Sequence, residues 1–253
     1  MDYQNIQVEE NQGISTITIN RPKQLNALNK LTIDELNQAL TLAEANKSIR
    51  VIIITGKGDK AFIAGADIKE FAAFSKEEGK KLSAEGHEKL FNLIENLAKP
   101  VISAINGFAL GGGLELAMAS HVRIASENSR LGLPEVGLGV IPGYGGTQRL
   151  AQLAGKGKAM ELIMTANMIN AEDALKIGLV NHVVPQPKLL EFSIKMASKM
   201  MRNSPFAIKS AIQAINANYK DGVDGFSEEI NAFGNCFGTK EFIEGTSAFL
   251  EKR

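Results

Sequence analysis

Two glutamates, 20 positions apart, are the side chains in this sequence best suited to acid–base chemistry. Glu115 follows three glycines at positions 111–113 and lies in the apolar stretch 114–119, which predicts a helix with this acid in its first turn. The helix dipole favours an ionised carboxylate there. Glu135 follows Pro134 among apolar neighbours that would raise its pKa by desolvation. Two carboxyls in different surroundings can divide the roles of acid and base.

Each glutamate also has a purely structural interpretation. Glu115 could serve only as a charge partner for the N-terminus of its helix. Glu135 could be an ordinary loop acid, because a single carboxyl after a proline carries little information. The residues by themselves leave both interpretations open.

Glycine is concentrated where these acids occur. The chain has 24 glycines, and many of them fall in three segments, at residues 56–67, 106–115 and 134–147. Each segment follows a predicted strand or precedes a predicted helix. Glycines there let a ligand approach backbone N–H groups closely, and a helix N-terminus favours negative charge. Ordinary turns are the alternative interpretation.

Composition narrows the class of protein. The 253 residues are 44% hydrophobic and carry 28 basic and 28 acidic side chains, so no overall field attracts nucleic acid or an anionic membrane. Residues 1–5 lack the features of a signal peptide, and residues 101–119 are interrupted by polar residues, so no membrane span is expected. The single cysteine, Cys236, excludes a disulfide framework and a cysteine-rich zinc site. We expect a cytoplasmic protein without a metal.

Other chemistries are less well supported. Residues 56–61 match the loose dinucleotide-binding pattern G-x-G-x-x-A, but Gly65 interrupts the helix that should follow. His87, His121 and His182 lie far apart without metal-ligand spacing, so they are interpreted as surface or hydrogen-bonded core residues.

The elements that must position the glutamates alternate between strands and helices. Buried β-branched runs predict strands at residues 50–55, 101–105 and 122–125, and apparent capping boxes at residues 32–35 and 75–78 begin helices. This order predicts an α/β fold with mainly parallel strands. From residue 188 only helical patterns occur, at residues 189–202, 205–218, 223–236 and 240–250. We therefore divide the chain into an α/β core, residues 1–187, and a helical region, residues 188–253, which packs on the core or on another subunit.

Several segments together resemble the enoyl-CoA hydratase/isomerase (crotonase) family over essentially the whole chain. These segments are residues 19–28, 61–69, 99–102, 106–117, 134–150, 171–180 and 249–253. The resemblance implies the crotonase (ClpP-like) fold, a spiral of ββα units with a C-terminal helical trimerisation region. It also implies a homotrimer or a hexamer made of two trimers.

The resemblance further implies an acyl-CoA thioester substrate, with coenzyme A as part of the substrate and no separate cofactor. The thioester oxygen would lie between the backbone N–H groups of Ala66 and Gly112. Glu115 would activate a water molecule for attack on the β-carbon, and Glu135 would deliver a proton to the α-carbon. The implied activity is syn addition of water to a 2-trans-enoyl-CoA, in fatty acid β-oxidation or a related short-chain pathway.

Further substrate contacts are implied by matching positions. They are Ala64, Asp67, Ile68, Lys69 and Gly143 near the thioester, with Phe233 and Lys252 at the adenine and phosphate end of coenzyme A, often from a neighbouring subunit. Residues 71–97 are expected to shape the acyl pocket. Tyr144 departs from the family where a small residue is common, which predicts a narrower or more polar pocket, and His121 stands where many members have Asp.

Two other functions remain open from the sequence. An enoyl-CoA isomerase, or another crotonase-family reaction, would keep the fold but add no water, and one acid can suffice for it. A non-catalytic protein that binds CoA or RNA is the third possibility, although zero net charge makes RNA binding a weaker hypothesis. Retention of both glutamates favours the hydratase.

Overall fold

Ten strands form two sheets in the computed structural model, which describes residues 2–253. In chain order the strands are β1 (Ile6–Asn11), β2 (Ile14–Ile19), β3 (Val51–Gly56), β4 (Ala61–Ile63), β5 (Val101–Ile105), β6 (Phe108–Leu110), β7 (Val122–Ser126), β8 (Arg130–Gly132), β9 (Met168–Asn170) and β10 (His182–Val184). The larger sheet has the order β1-β2-β3-β5-β7-β10 and the smaller one β4-β6-β8-β9.

The chain alternates between the two sheets. A strand of the larger sheet is followed within a few residues by a short strand of the smaller one: β3 by β4, β5 by β6, and β7 by β8. The pairs β2–β3, β3–β5, β5–β7, β4–β6 and β6–β8 are all parallel. This confirms the expected spiral and its mainly parallel pairing, and it stacks the ends of successive short strands at one edge.

The β-branched runs form the interior of the larger sheet, as predicted. In β3, Ile52, Ile53 and Ile54 are completely buried because both faces of the sheet are covered. One face packs in the main core, and the other packs in a second cluster that includes Leu189 and Ala197. A strand buried on both faces has no polar side to alternate with, which explains its continuous apolar sequence.

Eleven α-helices connect and cover these sheets within residues 2–253. They are α1 (Lys30–Ala45), α2 (Lys76–Gly86), α3 (Asn92–Asn96), α4 (Gly112–Ala119), α5 (Gly146–Ala154), α6 (Lys156–Thr165), α7 (Ala171–Lys176), α8 (Leu189–Met201), α9 (Pro205–Ala217), α10 (Gly225–Cys236) and α11 (Lys240–Leu250). A π-helical turn, His87–Phe91, joins α2 to α3. None of them is both long and apolar enough to span a membrane.

One of the two predicted capping boxes is wrong. The box at Ser75 and Glu78 is present, but α1 is capped by Asn29, whose side chain accepts from the backbone N–H of Thr32 at 2.9 Å. Glu35 instead accepts hydrogen bonds from the backbone N–H groups of Gln4 and Asn5 at 2.7 and 2.8 Å. These hydrogen bonds hold the start of the first strand against α1. Gln4 and Asn5 lie about 30 positions from Glu35, so no local sequence pattern could indicate the contact.

The four predicted C-terminal helices are present, and they differ in what they contact. Helix α8 covers the outer face of the larger sheet, α9 contacts α3, and α10 packs on α9. Among the described residues, α10 and α11 contain no buried side chain. The division at residue 188 stays a prediction, since α8 shares its apolar cluster with β3, β5 and β7.

Candidate active site

Three segments singled out in the sequence meet at one edge of the smaller sheet. Residues 64–67 follow β4, residues 111–113 follow β6, and Glu135 lies three positions after β8. Because these strands are parallel neighbours, their carboxyl ends lie side by side. In open parallel sheets, ligands bind beyond these ends. The spiral thus brings Ala66, Gly112 and Glu135 together from three successive turns.

Two backbone amides border the same space. Leu28 donates to the Gly65 carbonyl at 2.9 Å and accepts from the Asp67 N–H at 2.7 Å, so the intervening Ala66 N–H points away and has no acceptor within residues 2–253. Gly112 is the first residue of α4, where an N–H lacks an intrahelical acceptor. A Cβ on Gly112 would lie 3.8 Å from the Ala66 nitrogen. Two such amides can stabilise one developing oxyanion.

Glycine is required beside these amides. Gly111 has a φ of +49°, and a Cβ there would lie 2.8 Å from Oε1 of Glu135. A Cβ on Gly113 would overlap the carbonyl of Ile63 at the end of β4. The glycines therefore let α4 start directly against β4 and let the Glu135 carboxyl approach the strand end.

Glu115 is held by two backbone amides in the interior. Its side chain is only 1% exposed, and Oε1 accepts from the N–H groups of Tyr144 and Gly146, both at 2.8 Å. The net pKa of Glu115 is raised to about 7: burial is the largest cause and nearby Glu135 adds to it, while the two amides and Arg149 lower the pKa. A carboxyl with this pKa can exchange a proton near neutral pH.

Glu135 begins a short 3-10 turn, Glu135–Leu138, after β8. Burial raises the pKa of its carboxyl, which confirms the effect predicted from its apolar neighbours. Its Oε2 is buried and has no hydrogen-bond partner within residues 2–253. Because buried acceptors are nearly always paired, this oxygen is suited to bind a water molecule or a substrate. The charge of Glu135 raises the pKa of Glu115, so the two carboxyls lie close enough to interact.

The loop that holds Glu115 is anchored by Arg149, a residue that the sequence analysis missed. The buried guanidinium donates to the Tyr144 carbonyl at 3.0 Å and forms a two-pronged ion pair with Glu95, with distances of 3.1 and 2.7 Å. It also donates to Asn92 at 3.1 Å. The bond to the Tyr144 carbonyl fixes the peptide group between Tyr144 and Gly145, which lies between the two amides that donate to Glu115. The four-residue run of Gly143 to Gly146 before α5 was the only local signal.

Four other predicted positions lie at the same edge as Ala66. Asp67 forms an ion pair with Arg21 at 3.0 Å and lines the cavity described below. The Ala64 N–H donates to the Leu25 carbonyl at 3.1 Å. The remaining two, Ile68 and Lys69, lie in the next 3-10 turn and are exposed. Their contacts with a substrate stay predictions.

Gly143 lies beside the glutamates but is not itself a donor to Glu115. Its carbonyl accepts from the Ser83 hydroxyl, and the donors to Glu115 are the next residue, Tyr144, and Gly146. A direct role for the Gly143 amide toward substrate stays a prediction.

Phe233 and Lys252 are not brought to this edge within one chain. Phe233 lies in α10 and is 66% exposed, and Lys252 follows α11. Neither lines the cavity beside Ala66 in the described part of the chain. Their contacts with the adenine and phosphate end of coenzyme A stay predictions.

A cavity of about 480 Å³ opens beside Ala66. Its inner end is formed by Leu28, Ala66 and Tyr144, and residues of the segment 68–91 form much of its outer wall. The wall contains both apolar and charged side chains, including Phe71 and Lys89. The predicted contribution of residues 71–97 to a pocket next to the thioester position agrees with this arrangement.

The histidines do not form a site. His121 is a hydrogen-bonded core residue: its Nδ1 accepts from the Val101 N–H at 2.9 Å, its Nε2 lies 3.3 Å from the Glu95 carbonyl, and burial lowers its pKa. Within residues 2–253, no group of three or more His, Cys, Asp or Glu side chains is arranged to bind a metal.

Removing the buried acid should stabilise the protein at alkaline pH. The pKa of Glu115 is about 7 when folded and 4.5 ordinarily, so its stabilising proton is present at low pH and lost as the pH rises through 7. We therefore expect Glu115→Gln to raise the free energy of unfolding by about 1–3 kcal/mol at pH 8 and to change it less at pH 4.5. Urea denaturation of wild type and variant at both pH values checks this. An equal change in the free energy of unfolding at both pH values, or a decrease in it at pH 8, would contradict the prediction.

Comparison with known proteins agrees with this geometry. The family model for enoyl-CoA hydratase/isomerase matches residues 9–253. The chain is 46% identical to a short-chain-enoyl-CoA hydratase of Clostridium acetobutylicum and 47% identical to a crotonyl-CoA hydratase of Syntrophomonas wolfei, in each case over 100% of this chain and 97% of the relative. A crystal structure of enoyl-CoA hydratase from Bacillus anthracis superposes with a TM-score of 0.92 at 42% identity, over 99% of this chain and 97% of that one.

Proposed function

Because this chain belongs to the enoyl-CoA hydratase/isomerase family, we propose that Glu115 and Glu135 are the acid–base pair with which it adds water to a 2-trans-enoyl-CoA. The chain has the crotonase fold and is an enoyl-CoA hydratase, a hydro-lyase. The observation that carries the proposal is the meeting of one buried and one half-buried carboxyl, both of raised pKa, with two free amides at one strand edge.

The amides polarise the substrate. In our proposal the thioester oxygen accepts hydrogen bonds from the N–H groups of Ala66 and Gly112, which withdraws electrons from the conjugated double bond. The β-carbon becomes electrophilic, and negative charge accumulates on the oxygen as water adds. Fixed amides stabilise that charge without reorganising, which lowers the barrier for addition.

The glutamates then move the protons. Glu115, as carboxylate, takes a proton from the attacking water while the water oxygen bonds to the β-carbon. Glu135, in its protonated form, gives a proton to the α-carbon, and the enolate electrons form the new C–H bond. The proton on Glu115 returns to Glu135 before the next cycle, so the net change is addition of one water. Both carboxyls act from one side of the double bond, which makes the addition syn.

A product analysis tests the activity. Incubation with crotonyl-CoA should yield 3-hydroxybutyryl-CoA, separated by liquid chromatography and identified by mass. A 3-hexenoyl-CoA substrate should give little double-bond migration by comparison. Rapid interconversion of 3- and 2-enoyl-CoA without a hydroxyacyl product would instead identify an isomerase, and binding without turnover would identify a CoA-binding protein.

Arg149 should tune this chemistry as a positioning residue. Its charge lowers the pKa of Glu115, so Arg149→Met should move the acidic limb of kcat/KM, which reflects Glu115, to higher pH. Loss of its bond to the Tyr144 carbonyl should also lower kcat by about tenfold or more, because the Glu115 donors are displaced. Arg149→Lys keeps the charge and serves as the control. A pH profile of Arg149→Met that matches the wild type would contradict this role.

The assembly, cofactor requirement and location follow from the same proposal. Exposed apolar side chains occur along the last two helices, namely Phe226, Ile230, Phe233, Phe249 and Leu250. Phe226, Ile230 and Phe233 are spaced four and three residues apart, so they share one face of α10, and an exposed apolar face of this kind supports a homotrimer or a hexamer. We propose further that coenzyme A enters only as part of the substrate, that no other cofactor takes part, and that the protein works in the cytoplasm.

A further inference from the structure

We propose that the Tyr144 side chain is a specificity-determining residue that restricts the substrate to short acyl chains. The inference rests on the proposed function, since it concerns the acyl group of the same thioester. It concerns the ring of Tyr144, whereas the backbone N–H of that residue holds Glu115. The ring and the backbone can therefore be tested separately.

The ring has a fixed position. It is 6% exposed and stacks on Phe91, with a centroid distance of 4.6 Å and an interplanar angle of 12°. On its other edge it lies so close to Gly86 that any Cβ there would overlap it. If the ring swings aside, it loses its stacking on Phe91 and its close contact with Gly86, so this position is favoured by packing.

This fixed ring faces Leu28 across the oxyanion site. The Cβ position of Gly112 lies 3.5 Å from Cδ2 of Tyr144 and 3.6 Å from Cδ1 of Leu28. The two side-chain atoms are therefore at most about 7 Å apart, and a methylene placed between two carbons needs roughly 3.5–4.0 Å to each. An acyl tail that leaves the thioester over Gly112 must pass this constriction in close contact with both side chains.

Space for a longer chain exists beyond the constriction. The cavity of about 480 Å³ continues outward past Ile33, Phe71 and Leu82. Its lining holds five acidic side chains and three lysines, namely Asp34, Asp67, Glu70, Glu78, Glu85, Lys30, Lys81 and Lys89. The excess of acids disfavours an acyl chain that ends in a carboxylate. The apolar side chains of the lining, including Ile33, Phe71 and Leu82, can contact an aliphatic tail, and the Tyr144 ring is the side chain that narrows access to them.

Binding of saturated acyl-CoAs tests the inference without turnover. We would titrate wild type, Tyr144→Ala and Tyr144→Phe with butyryl-CoA and decanoyl-CoA by calorimetry. Wild type should bind butyryl-CoA at least about tenfold more tightly than decanoyl-CoA, because the extra methylenes of decanoyl-CoA do not fit past the ring. Tyr144→Ala should reduce this ratio of affinities about tenfold or more. Tyr144→Phe keeps the ring and should keep the ratio. Tyr144→Leu, which preserves apolar packing on Phe91, replaces the alanine variant if that one does not fold.

Two results would overturn the inference: equal affinity of the wild type for both ligands, or an unchanged ratio in the variants that remove the ring. Hydration of crotonyl-CoA by the wild type, measured in parallel, reports on the proposed function alone. A protein that hydrates crotonyl-CoA but shows no chain-length preference would refute only the role of Tyr144. A protein that shows the preference but hydrates nothing would refute only the activity.

Discussion

Glu115→Gln should lower kcat for hydration of crotonyl-CoA by a factor on the order of 10²–10⁴, and Glu135→Gln should do the same. Glutamine preserves the shape of each side chain and can still accept the hydrogen bonds that Tyr144 and Gly146 donate to residue 115. It cannot accept or deliver a proton at neutral pH. The loss in each variant therefore measures proton transfer and not packing.

The two losses should not add. The carboxyls share one water and one substrate double bond, and groups that act as a unit show strongly non-additive effects. We expect the double variant to be only slightly slower than the worse single variant. Steady-state kinetics of the three variants checks this, with Glu191→Gln, an exposed acid on α8, as a control that should stay within about twofold of wild type. Near-full activity of either single variant would show that its acid has another role.

Removing one oxyanion donor should have the second largest effect. Gly112 is the first residue of α4, a position where proline is tolerated because its missing N–H has no partner within the helix. We expect Gly112→Pro to lower kcat about 10²–10³-fold relative to Gly112→Ala. The alanine variant adds only a Cβ, at ordinary contact distances of 3.5–3.8 Å from its neighbours, and keeps the N–H.

The difference between these two variants isolates the hydrogen bond from the added bulk. Both change the same position, and circular dichroism and the oligomeric state should be the same for both. If Gly112→Pro were as active as Gly112→Ala, the thioester oxygen would not depend on this amide. An equal loss in both variants would indicate steric exclusion of the substrate instead.

The features that can be predicted from the sequence are those with a recognisable pattern in a short stretch of the chain. The β-branched runs of β3 and β5 are long enough to identify, and the glycines before α4 place Glu115 in the first turn. The three-residue strands β4, β6 and β8 escape detection because they are too short to show a period. Pairing of these short strands nevertheless brings together the segments that form the site.

Contacts between distant parts of the chain could not be predicted in this way. The amides of Tyr144 and Gly146 reach Glu115 across about 30 positions, and Arg149 pairs with Glu95 across more than 50. Such contacts depend on how the spiral stacks, and no local spacing encodes them. The family resemblance implies Ala66 as a donor, and the structure leaves its N–H available for that role, since it faces away from Leu28.

The stereochemistry of water addition is the most direct test of the account. Hydration of crotonyl-CoA in deuterated, ¹⁸O-labelled water should place one ¹⁸O on the β-carbon and one deuterium on the α-carbon of the same molecule, as read by mass spectrometry. Proton NMR of the product should show that both were added to the same face, because Glu115 and Glu135 act from one side. Anti addition, or a product without ¹⁸O, would contradict a mechanism in which Glu115 activates the attacking water and Glu135 protonates the α-carbon from the same side.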